Sequence, residues 1–91
     1  MELIDNNLPE RMRRRNISLY QAMKNGEWFT LKQIEQITHY PSATASAGIR
    51  DFRKREYGSN TVEKNYLGEG IYQYRLIINP ENNILKEKLD I

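Results

Sequence analysis

Residues 30–55 read TLKQIEQITHYPSATASAGIRDFRKR, and how this stretch divides decides the fold. Thr30-Leu31-Lys32-Gln33 matches the capping-box pattern, in which a Thr side chain and a Gln side chain each satisfy an amide that a helix start would orphan. Leu31, Ile34 and Ile37 follow at steps of three and form one apolar stripe. Tyr40 precedes Pro41 and is pushed out of helical geometry, so this helix ends near Thr38. A new helix starts at Pro41 or Ser42 and runs to about Arg55. Ala45, Ile49 and Phe52 give it a buried stripe. Ser42, Ala43, Ser46, Ala47, Arg50 and Lys54 give it a second face of small side chains, then cations. Two helices joined by a tight turn, the second presented outward, form a helix-turn-helix pair.

Working outward, the N-terminal side predicts an arm over residues 1–8 and a helix that begins at Pro9, where a missing N–H costs nothing. Asn25-Gly26 stops that helix. Its first half holds Arg11, Arg13, Arg14 and Arg15, a basic turn suited to water or an anion. Trp28 and Phe29 start a short extended piece and are assigned to the core. On the C-terminal side, Gly58-Ser59-Asn60 is turn chemistry. Beyond it Val62, Lys64 and Tyr66 alternate with Thr61, Glu63 and Asn65. Tyr72, Tyr74 and Leu76 alternate with Ile71, Gln73 and Arg75. The glycine-bearing Leu67-Gly68-Glu69-Gly70 lies between the two runs, which predicts a β-hairpin over 61–78. Residues 80–91 form a tail, either a short amphipathic helix or disordered.

The predicted order of elements is helix, short strand, helix, turn, helix, hairpin. This is an α+β chain with a single domain over residues 9–79, and its sequence pattern is that of a winged helix-turn-helix with three helices and a C-terminal hairpin wing. Ninety-one residues suffice for one small core. Apolar residues are 38% and charged residues 29% of the chain, an ordinary globular balance.

Charge is uneven. The net value is only +2, yet residues 11–60 hold ten bases against four acids. A concentrated basic segment suits a polyanion better than the total suggests; a solvated surface is the plain alternative. With no cysteine, disulfides and cysteine-based zinc sites are excluded. No apolar run reaches membrane-span length, and the acidic start lacks a signal-peptide core, so a cytoplasmic protein without a membrane partner is expected.

A helix entering the DNA major groove must fit a width of about 12 Å. Small residues at Ser42, Ala43, Ser46 and Ala47 allow a close backbone approach. The hydroxyls suit base edges or phosphates, and the Ala methyls suit thymine methyls. Arg50 lies on the same face and reaches guanine or phosphate. Arg53 and Lys54, beyond it, suit phosphates. Lys64 and Asn65, towards the hairpin tip, supply a second contact, although Glu69 at the tip repels phosphate. Arg11 to Arg15 clamp the backbone if that helix end lies beside the duplex. Small residues also permit close helix–helix packing, and Gly48 fits that role.

Several runs carry a family resemblance: Gly26-Glu27-Trp28-Phe29-Thr30-Leu31, Pro41-Ser42-Ala43-Thr44-Ala45-Ser46, Ile49-Arg50-Asp51-Phe52-Arg53-Lys54, Thr61-Val62-Glu63-Lys64, and Gly68-Glu69-Gly70-Ile71-Tyr72-Gln73-Tyr74-Arg75-Leu76. From about Pro9 to Asn79 the chain resembles the small winged-helix proteins of bacteria and their phages, with Phe52 where Leu is usual. The resemblance implies double-stranded DNA binding in a transcriptional or architectural role, plausible for a phage or prophage. Winged helices also serve as protein-binding modules. The alternative is therefore an adaptor or a phage-encoded inhibitor of a host enzyme. A single domain this small buries little interface, so a homodimer or protein partner is expected, with Leu85 and Leu89 as candidate dimer contacts.

The inventory argues against an enzyme and against a cofactor. His39 is the sole histidine, with no cysteine or second histidine to share a metal. Gly68-Glu69-Gly70 lacks the Lys-Ser/Thr of a phosphate loop. Asp51 sits three and four positions before Lys54 and Arg55, which is ion-pair spacing on a helix.

Overall fold

A computed structural model of the chain describes residues 10–81, with side chains from residue 14 onward. The elements are α1 (Glu10–Met23), β1 (Phe29–Thr30), α2 (Leu31–Thr38), α3 (Ser42–Phe52), a 3-10 turn (Arg55–Tyr57), β2 (Thr61–Gly68) and β3 (Ile71–Ile77). The molecule is α+β, with three α-helices and one antiparallel sheet of order β1-β3-β2. The expected arm (1–8), the start at Pro9, and the tail residues Leu85 and Leu89 lie outside the described residues.

Helix α1 buries Leu19, Tyr20 and Met23 and closes where the Gly26 amide donates to the Met23 carbonyl at 3.0 Å. The capping box of α2 is formed reciprocally: Thr30 N–H donates to Gln33 Oε1 (2.9 Å) and Gln33 N–H donates to Thr30 Oγ1 (3.1 Å). His39 ends α2 in the left-handed region (φ 65°), its amide bonded to the Glu35 carbonyl. Of the predicted stripe on α2, Ile34 is fully buried and Leu31 packs against the core, but Ile37 is 50% exposed. Steps of three fall short of the 3.6-residue turn, so the third member has rotated off the buried face.

Helix α3 begins as expected and buries Ala45, Gly48, Ile49 and Phe52. It stops at Phe52, three residues before the expected end. Lys54 is extended (ψ 155°), which turns Tyr57 inward, where it is 2% exposed. Its ring meets Phe52 edge-on at 6.1 Å. Burying this large ring outweighs three more residues of helix.

The hairpin has the expected position. Gly68 pairs with Ile71, leaving Glu69 and Gly70 as a two-residue loop, both with positive φ (57° and 77°). That loop matches the twist of paired strands and accounts for the glycine at its second position. Val62, Lys64 and Tyr66 lie opposite Leu76, Tyr74 and Tyr72. Trp28 departs from its core assignment. It is only half-buried, and the Arg75 guanidinium stacks over its ring at 4.7 Å. Phe29, paired with Tyr74, packs on the core, as Tyr74 does. Among the described residues no helix is long and apolar enough to cross a membrane.

Candidate nucleic-acid interface

Helix α3 is flanked on two sides. On one side α1 packs closely against Gly48. A Cβ there would collide with Leu19 Cδ1 and lie 2.9 Å from Asn16 Oδ1, so only glycine permits the approach. On the other side stands the hairpin. Between the flanks, α3 turns Ala43 and Arg50 to solvent, with Ser46 and Ala47 half-exposed beside them. The small-residue run therefore splits: Ala45 and Gly48 face inward for packing, and Ala43, Ser46 and Ala47 stay accessible.

Arg50, Arg53 and Lys64 come together. With Ser46, Ile49, Val62 and Tyr74 they line a groove of about 370 Å³ between α3 and the hairpin. No acidic side chain lines it. Lys64 Nζ sits 4.7 Å over the Tyr72 ring, and Tyr72 in turn meets Tyr66 at 4.9 Å. This cation–π contact holds the ammonium near the groove and leaves its N–H donors for another partner. Asn65 is exposed on β2, on the opposite face from Lys64. Ser42 is committed locally, its hydroxyl donating to Glu35 Oε1 at 3.0 Å.

The basic turn of α1 behaves differently from expectation at Arg15. Its guanidinium donates to Asp51 Oδ2 at 2.6 Å, and its side chain is 12% exposed against 8% for Asp51. Arg15 is thus an internal partner rather than an outward phosphate clamp. Asn16 is fully buried between them, bonded to Asp51 (3.3 Å) and to the Tyr57 hydroxyl (2.9 Å). Lys54 joins the same carboxylate at 3.0 Å, off the end of α3 rather than on its outward face. The hydrogen bond to Asp51 raises the Lys54 pKa, and burial raises that of Tyr57. The spacing argument found the Asp51–Lys54 pair, but Arg15, 36 residues away, makes the shorter contact to that carboxylate. Arg14 is exposed next to this network. The side chains of Arg11 and Arg13 lie outside the described residues.

Sequence reasoning missed Val62 and Tyr74 as parts of the groove. The loop alone does not reveal them: two-residue closure pairs Gly68 with Ile71, and a bulge between Tyr66 and Gly68 then shifts the register by one residue, which puts Tyr74 rather than Arg75 opposite Lys64. Among the described residues no cluster of His, Asp and Glu could hold a metal ion.

No family model, curated protein or solved structure matches this chain.

Proposed function

We propose that this chain is a winged helix-turn-helix protein that binds double-stranded DNA through α3, in a regulatory or architectural role. The observation that carries the reading is the accessible small-residue face of α3 bordered by a groove lined with Arg50, Arg53 and Lys64 and with no acid. Ala43, Ser46 and Ala47 allow the helix backbone to approach base edges, and Arg50 reaches them from the same face. Arg53 and Lys64 supply sequence-independent attraction to the backbone. Arg15 and Lys54 are held by Asp51.

Fluorescence anisotropy with random-sequence duplex DNA, run as a salt series, tests this. The expected result is an affinity that falls steeply with salt, with a log–log slope of about −0.9 per phosphate neutralised. Arg50→Ala should cost about 1–3 kcal/mol on a selected site. Absence of binding at low salt would overturn the reading.

A protein-binding winged helix is the second reading. It is favoured by the outer end of the hairpin, where Tyr66 (57%), Leu67 (51%), Ile71 and Tyr72 are exposed next to Glu69. Such a cluster of exposed apolar side chains suits a protein surface.

A further inference from the structure

We infer that the groove between α3 and the hairpin is a seat for one phosphodiester unit, shared by Arg50, Arg53 and Lys64. The inference rests on the DNA reading for the source of the phosphate. It goes beyond that reading in assigning cations from two separate elements to a single anion.

Three observations carry it. First, the groove brings together side chains from α3, from the residue just past its end and from β2, and all three charged ones are cationic. Second, the carboxylates closest to them in sequence are occupied elsewhere. Asp51 binds Arg15 and Lys54, and Glu63 binds Arg75 at 2.7 Å on the opposite face of the sheet. Among the described residues Arg50, Arg53 and Lys64 have no ion-pair partner, so three cations are assembled without a counter-charge. Third, Lys64 is held in place by Tyr72 rather than by an acid, which fixes its position and keeps its charge available.

The dimensions set the class of ligand. About 370 Å³ is within the range of small-molecule sites and larger than a lone phosphate fills. Ile49, Val62 and Tyr74 give the remaining wall an apolar and aromatic character that suits a sugar. The Ser46 hydroxyl adds a neutral hydrogen-bonding group to the same groove. A phosphate together with its sugar matches this combination.

The test has two arms. In the first, inorganic phosphate is titrated into the free protein at constant ionic strength and followed by amide NMR. Saturable shifts are expected at Ser46, Arg50, Arg53 and Lys64, with affinity reduced at least about threefold in Lys64→Gln, the loss of one charge-assisted contact. Shifts spread equally over Arg14 and Lys32, or unchanged in Lys64→Gln, would overturn the seat. In the second arm, Arg53→Gln, Lys64→Gln and the double variant are compared on random-sequence duplex DNA. Cations that share one phosphate should make the double effect differ from the product of the single effects by about threefold or more. Simple multiplication would mean separate phosphates and would also overturn the proposal. Wild-type protein that ignores duplex DNA would sink the DNA reading alone, and the first arm would then decide the seat by itself.

Discussion

Gly48 and Ala47 are neighbours in sequence with opposite environments. Gly48 is where α1 and α3 come closest, and a methyl group there has nowhere to go. Gly48→Ala gains about 1 kcal/mol of helix propensity but overpacks a tight contact, a cost of about 1–3 kcal/mol. Because the obstructing atoms include a fully buried Leu19, the net outcome should be destabilisation by up to about 2 kcal/mol in urea unfolding. Sequence reading could offer both explanations for the small residues, packing and close approach to a ligand. It could not assign them residue by residue, because that depends on which side α1 takes. Arg15 shows the same limit. Four arginines within five positions read as one patch, yet the local pattern gives no sign that one of them reaches Asp51.

At the scale of elements, the capping box, the break before Pro41 and the glycine-bearing turn of the hairpin were all legible, since each is local chemistry. The end of α3 was not. Its charged run looks helical, but Tyr57 is drawn into the core and ends the helix early. Trp28 was misjudged because an aromatic beside Phe29, which packs on the core, resembles core itself, while its ring is instead taken up by the Arg75 guanidinium. The polar network that joins α1 to the end of α3 has a consequence in alkali. Burial raises the Tyr57 pKa above 10.0, so the folded state holds this proton more tightly than the unfolded chain. Its contribution to stability is complete below pH 10.0 and declines as pH rises from there through the folded value. Tyr57→Phe should flatten the alkaline limb of stability against pH. An unchanged limb, measured by urea midpoints from pH 9 to 11.5, would show that the hydroxyl titrates alike in both states.

Over the whole molecule, the order of elements was readable and the groove was not, because a groove exists only once α3, the chain past its end and the hairpin have a fixed mutual angle. Asn60, which is 5% exposed, links these parts at the root of the hairpin. Its side-chain amide donates to the carbonyls of Phe52 (3.0 Å) and Tyr57 (2.7 Å), and its oxygen accepts from the Asn79 amide (2.8 Å). Asn79 in turn donates to the Gly58 carbonyl. Asn60→Ala leaves the Tyr57 carbonyl and the Asn79 amide without this partner, while the Phe52 carbonyl keeps the residue 60 amide, at about 1–3 kcal/mol for a buried group left unmatched. Thermal unfolding should report that loss as a lower midpoint. The more telling readout is slow motion: relaxation dispersion should appear at Lys64 and Tyr72 in the variant and not in the parent.

In mechanical terms the hairpin is a lever hinged at its root, and Asn60 is the pin. The pin sits at the short end, so a small rotation there sweeps the tip through a long arc. A single buried amide thus ties the end of α3 to the root of the hairpin without touching Arg50 or Lys64. Selection for a different spacing of opposing charges could act at residue 60 or 79 and leave every exposed cation as it is.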